Sequence, residues 1–129
     1  MSVRLYRIIL PVGDINLAAE FYAALLESPG ERVSPGRHYF DCGGTILACY
    51  DPSADGDELG QGWRHHPSQY CYFAVSDLEA VFDRAKSLPC QAVDVAIAAM
   101  PWGERLFYAN DPFDNPICFV DEKTLFTGA

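Results

Sequence analysis

LPVGDI at residues 10–15 and FAVSDL at residues 73–78 are two readings of one phrase, placing Val12 opposite Val75 and Asp14 opposite Asp77 at a spacing of 63. A second echo follows in the same order. DCGGTILACYD at residues 41–51 matches DPFDNPICFVD at residues 111–121 with a shift of 70, pairing Asp41 with Asp111 and Asp51 with Asp121. One short insertion within the second copy accounts for the change of shift. Matches in conserved order at nearly constant spacing are the mark of an internal repeat.

Working outward from these anchors, residues 3–12 (VRLYRIILPV) are rich in β-branched and aromatic types and read as a strand. A period near 3.6 takes over at Ile15, Ala18, Phe21, Tyr22, Leu25 and Leu26, with Asp14 as N-cap and Ser28-Pro29-Gly30 as the stop. Strands follow at 31–34, 37–42 and 45–50, separated by Pro35-Gly36 and Gly43-Gly44. Residues 52–68 are polar and rich in Gly, Pro and Asp, which suits a linker. The pattern then restarts. Residues 69–75 form a strand, and Asp77 caps a helix through Leu78, Val81, Phe82, Ala85 and Leu88 that ends at Pro89. Strands at 91–98, 104–109 and 116–121 complete the second copy, and the tail EKTLFTGA has no assignment. The expected class is α+β: one domain over residues 1–129, built of two βαβββ modules at about 3–51 and 69–121.

With 129 residues, half of them hydrophobic and 13% aromatic, the chain has the apolar content of one globular core. It has no run of about 18 apolar residues to span a membrane and no cleavable leader, so a cytoplasmic protein without a membrane partner is expected. Its five cysteines form no CxxC pair and sit in apolar segments, as reduced core residues do. A net charge of −9 with scattered basic residues argues against nucleic acid as a partner.

A tandem βαβββ with a capping Asp after the first strand, the pair Phe21-Tyr22 in the first helix, and the DPxxN turn at Asp111 resembles the vicinal oxygen chelate superfamily. That superfamily includes glyoxalase I, extradiol dioxygenases and bleomycin-resistance proteins. The resemblance spans residues 3–121 and is most specific at PWGERLFYANDPFDNPICFVD, residues 101–121. It implies mixed sheets curled into cupped half-barrels, helices on the outer face, a cavity between modules, and a homodimer. It also implies four metal-ligand positions, one on the first and one on the last strand of each module, which hold His, Gln or Glu in most of the enzymes. Here they fall on Arg7, Ala48, Tyr70 and Cys118, a set short of the three or so donors a catalytic ion needs. No metal and no cofactor are therefore expected.

Strand alternation carried from Arg7 places Leu5 and Ile9 on the same face, with Tyr70, Tyr72 and Ala74 in the second copy. Ile46, Ala48, Tyr50, Pro116, Cys118 and Val120 follow by the same parity. The expected lining is an aromatic small-molecule pocket, with Arg7, Ile9, Tyr50, Tyr70, Tyr72, Trp102 and Cys118 as ligand contacts. Arg7 either grips an anionic or carbonyl-bearing ligand or is paired with Glu104 or another acid. Trp102, beside Gly103, either closes over a planar group or packs at the rim. Glu104 as a general base and Cys118 as a thiolate nucleophile are the catalytic candidates, against surface charge for one and an inert core thiol for the other. His65 and His66 are adjacent and diverge on an extended segment, and His38 lacks a partner at ligand spacing. Two functions stay open: a metal-free binding protein of the bleomycin-resistance type for a planar or partly cationic molecule, or a lyase, isomerase or dioxygenase, metal-dependent or not.

Overall fold

The computed structural model describes residues 2–58 and 66–126; His65, part of the expected linker and the end of the tail lie outside them. The chain divides into two units, residues 1–65 and 66–129.

In the first unit β1 (Arg7–Pro11), α1 (Ile15–Leu26), β2 (Glu31–Ser34), β3 (Arg37–Cys42) and β4 (Thr45–Tyr50) follow in order. They build a mixed sheet in the order β1-β4-β3-β2, with β1 parallel to β4 and the other pairs antiparallel. Asp14 accepts hydrogen bonds from the Asn16 and Leu17 amides, and Ile15, Ala18, Phe21, Tyr22 and Leu25 form the buried stripe of α1. The helix ends earlier than the proline and glycine imply: Glu27 takes the left-handed conformation at φ 52°. Gly30 has a different task. A side chain there would come within 2.7 Å of the Phe40 ring and the Tyr39 carbonyl, so the chain leaves the helix through a gap only glycine fits.

The second unit repeats the plan with β5 (Cys71–Val75), α2 (Leu78–Ser87), β6 (Ala92–Val93), β7 (Ala98–Ala99), β8 (Arg105–Asn110) and β9 (Pro116–Asp121). The sheet order is β5-β9-β8-β6, with β7 also pairing β8 and β5 parallel to β9. Leu88 is extended because the residue before a proline is pushed out of helical backbone, so α2 stops at Ser87.

The strand expected over residues 91–98 is two short pieces. Between them the Asp94 carboxylate accepts the Tyr108 amide at 2.9 Å and the Asp94 amide donates to the Tyr108 carbonyl, so a side chain replaces part of the ladder. The first strand begins at Arg7, four residues later than read from the sequence, and the tail opens with a 3₁₀ turn, Glu122–Thr124, capped by Asp121. The start of the expected linker also belongs to the first unit. Asp55 accepts from the Gly36 amide at 2.6 Å and from the Ser34 hydroxyl at 2.9 Å, which straps residues 52–57 across the β2–β3 turn.

The register confirms the repeat. Ile9 stands opposite Ala48 and Tyr72 opposite Cys118, so the shifts of 63 and 70 read from the letters reproduce the pairing of parallel strands. In each sheet one face carries the helix. Phe40 meets Tyr22 of α1 and Phe107 meets Phe82 of α2, which assigns Leu10, Leu47 and Cys49 to the helix side of one sheet and Phe73, Ile117 and Phe119 to that of the other. Among the described residues no helix is long and apolar enough to cross a membrane, and no disulfide joins any of the five cysteines.

Candidate functional site

The face without a helix is where strand alternation puts the residues picked from the sequence. In the first unit Arg7, Ile9, Ile46, Ala48 and Tyr50 share it with Arg37, Tyr39 and Asp41 of β3. In the second, Tyr72, Ala74, Pro116, Cys118 and Val120 share it with Leu106, Tyr108 and Asn110 of β8. Tyr70 precedes β5, and its ring contacts with Tyr72 and Tyr108 hold it on this face.

Arg7 is exposed and stacked. Its guanidinium carbon lies 4.9 Å from the Tyr6 ring centroid and 5.0 Å from that of Tyr39, and it donates to the Tyr6 hydroxyl at 3.3 Å. Within its unit, among the described residues, no carboxylate forms an ion pair with it. Arg37, on the same face, is spoken for. It lies 4.4 Å from the centroid of Tyr50 and 3.5 Å from the Asp55 carboxylate, while the Tyr50 hydroxyl is hydrogen-bonded to Asp57. Tyr50 is therefore buried and tied, whereas Ile9 keeps 43% of its surface exposed.

In the second unit three phenols gather on the face that carries Cys118. Tyr70 and Tyr108 meet edge to face at 5.1 Å, and Tyr72 closes the group at 6.2 and 6.5 Å, with Tyr70 39% and Tyr72 58% exposed. Burial, followed by a hydrogen bond with Tyr72, raises the Tyr108 hydroxyl above the ordinary phenol range. Cys118 itself is fully buried with Leu106 and Val120, under Met100 and Tyr108. That burial, with smaller contributions from Glu104 and Asp94, pushes its thiol up to about 12. At neutral pH it is a protonated core thiol, the opposite of what nucleophilic attack needs.

Trp102 lies in the turn between β7 and β8, closed by the Met100 amide on the Glu104 carbonyl, with Gly103 at φ 102°. The indole is 64% exposed and donates to the Glu104 carboxylate at 2.7 Å, which engages Glu104 in holding the turn. His38 faces the helix layer. Its Nε2 donates to the Pro29 carbonyl at 2.9 Å and its Nδ1 accepts from Arg32 at 3.3 Å, so both ring nitrogens serve the α1–β2 connection. His66 is exposed and accepts from the Ser68 amide. Tyr6, Tyr39 and Tyr108 stand outside the residues expected from the sequence; the latter two lie two residues before Asp41 and three before Asp111, along β3 and β8.

A sequence profile of the Glyoxalase/Bleomycin resistance protein/Dioxygenase superfamily matches residues 4–119. The chain belongs to this superfamily. Solved structures with the same fold include a glyoxalase/bleomycin resistance protein from Albidiferax ferrireducens T118, at TM-score 0.70 and 18% identity over 90% of this chain and 96% of that one. A lactoylglutathione lyase from Agrobacterium tumefaciens aligns at TM-score 0.67 and 20% identity, covering 95% of this chain and 96% of the other. A glyoxalase-related enzyme from Fulvimarina pelagi aligns at TM-score 0.70 and 17% identity, covering 92% and 87%. At such identities the likeness is one of fold, and no curated protein matches by sequence.

For a member of a superfamily rich in metal enzymes, the donor set is the test. The four positions carry a stacked guanidinium, a methyl group, a phenol and a protonated thiol, and these do not fit a divalent ion. Among the described residues no three His, Cys, Asp or Glu side chains cluster as ligands elsewhere.

Proposed function

We propose that this superfamily member binds a planar small molecule on its helix-free sheet faces without a divalent metal, as a binding protein rather than an enzyme, and works in the cytoplasm as a homodimer. One observation carries the reading. Where a metal enzyme presents carboxylates and imidazoles, these faces present half-exposed phenol rings and a guanidinium that, among the described residues of its unit, stacks on two tyrosines and pairs with no carboxylate. Tyrosine faces favour flat ligands, and a guanidinium takes over the electrostatic role of an ion toward a carbonyl or carboxylate. The catalytic alternatives lose support from the side chains that would serve them, since Cys118 is buried and protonated and Glu104 is bound to the Trp102 indole.

The test is elemental analysis of the purified protein, followed by calorimetric titration with planar carboxylates and ketones before and after chelator treatment. Binding that survives chelation, and that weakens about tenfold in Tyr72→Ala through loss of aromatic contact, is the expected result. Stoichiometric Fe, Mn, Ni or Zn whose removal abolishes binding would overturn it.

A further inference from the structure

In the first unit we propose a site for the oxyanion of a ligand, formed by Arg7 between Tyr6 and Tyr39 and reinforced by Arg4, that prefers a doubly charged group such as a phosphate monoester. This deepens the binding reading above and rests on it.

Charge placement is the starting point. In a chain of net charge −9, cations without a carboxylate partner are unexpected, and at least four of the eight described ones have a settled partner. Arg105 pairs with Glu79 and Asp121, Lys86 with Asp83, and Arg37 with Asp55. Arg32 donates to Asn16 and His38. Arg4 and Arg7 differ. Both stand over the Tyr6 ring, at 6.0 and 4.9 Å from its centroid, and among the described residues neither forms an ion pair. Two guanidiniums drawn to one ring repel each other, a cost that the quadrupole of the ring offsets only in part and that an anion would reverse.

Arg7 is also pre-organised. Rings on two sides, at 4.9 and 5.0 Å, restrict a side chain that otherwise loses much rotamer freedom on binding. Among the described residues of the unit one of its N–H groups is used, on the Tyr6 hydroxyl, which leaves donors in the fork arrangement that matches a carboxylate or phosphate edge. The acid nearest by strand register is Asp41, across Ile46 on the same face. Two strand spacings separate it from Arg7, about 9–10 Å, and its carboxylate accepts from the Gly44 amide at 2.7 Å. Arg4 contributes field rather than a fixed contact. Its side chain is exposed and reaches toward Gly44 at the β3–β4 turn, so it acts within about one Debye length and its effect is sensitive to salt.

The experiment uses phenyl phosphate, phenyl sulfate and phenol as probes for calorimetry with the metal-stripped full chain at pH 8 and low salt, where the phosphate is a dianion. Phenyl phosphate is expected to bind about threefold or more tighter than phenyl sulfate, since the second guanidinium interacts with the additional charge, and phenol far more weakly. Arg7→Met should weaken both anions about tenfold or more by removing the charge-assisted bonds. Arg4→Met should level the phosphate and sulfate affinities, Arg4→Lys should restore the difference, and 0.2 M salt should shrink it. Equal affinity of the two anions in the unaltered protein, or anion binding indifferent to Arg7→Met, overturns the proposal. Both arginines are exposed, and circular dichroism confirms that the variants fold. If neutral planar ligands bind while oxyanions do not, this site falls and the broader reading stands; if binding of planar ligands requires a resident metal, the broader reading falls whatever the anions do.

Discussion

Tyr22 in α1 and Ala85 in α2 occupy the same place in the repeat, as do Cys49 in β4 and Phe119 in β9, and all four are fully buried. The first unit puts the large side chain on its helix and the small one on its strand; the second does the reverse. In the second unit the sheet itself carries a run of rings, Phe73 stacked on Phe119 and Phe119 on Phe107 at 5.1 and 5.3 Å, which Phe82 joins from the helix. In the first, Phe21 and Tyr22 of the helix meet edge to face and Tyr22 reaches Phe40. The layer between helix and sheet must be filled to the density of a crystal, but either side can supply the volume. The repeat is thus kept in its register and caps while its letters diverge.

The sharpest way to break this comparison is to remove the bulk from each strand in turn. Phe119→Ala should cost about 3–5 kcal/mol, because the cavity opens between two stacked neighbours, whereas Cys49→Ala should cost on the order of 1 kcal/mol. Urea unfolding at unchanged m-value reads both. Equal losses would mean that the volume is not divided as the buried rings indicate.

The turns before the last strands differ almost as much. Asp111 is fully buried and accepts from the Phe113 and Asn115 amides and the Asn115 side chain at 2.8–2.9 Å, and Asp114 beside it takes a left-handed φ of 66°. Its counterpart Asp41 is exposed and accepts from the Gly44 amide, with glycines in the left-handed positions. Asp111→Ala leaves buried donors without an acceptor and should cost about 2–3 kcal/mol, against less than about 1 kcal/mol for Asp41→Ala. Thermal unfolding compares the two, and faster hydrogen exchange at the Asn115 amide in the first variant locates the damage.

The same contrast explains what the letters reveal. The strands at residues 31–34, 37–42, 45–50 and 116–121 have the bounds read from them, since glycine and proline turns bracket the first three, the DPxxN turn opens the last, and alternation fills them. The resemblance sets the face of Arg7 and Tyr70, and parity carries it to Ile9 and Tyr72. What stayed hidden depends on partners far along the chain. Asp94 splits a strand because its carboxylate meets Tyr108, and residues 52–57 fold back because Asp55 reaches Gly36. Tyr39 escapes notice because its interest lies in the cation that stacks on it from a strand it does not adjoin.

The smallest expected difference lies in the caps, the very residues that expose the repeat. Asp14 accepts from two amides, Asn16 and Leu17, and Asp77 from one, Ala80, all at 3.1 Å. α2 has further support for its dipole, with Glu79 in its first turn and Arg84 and Lys86 in its last, whereas α1 has no charged residue of the helpful sign at either end. Replacing either aspartate by alanine should cost about 1 kcal/mol, with Asp14→Ala the costlier by about 0.5 kcal/mol because nothing else in its first turn answers the exposed amides. The gap should survive added salt, since most of it is hydrogen bonding rather than charge. If instead the two losses converge as salt rises, the dipole and not the second hydrogen bond separates the helices.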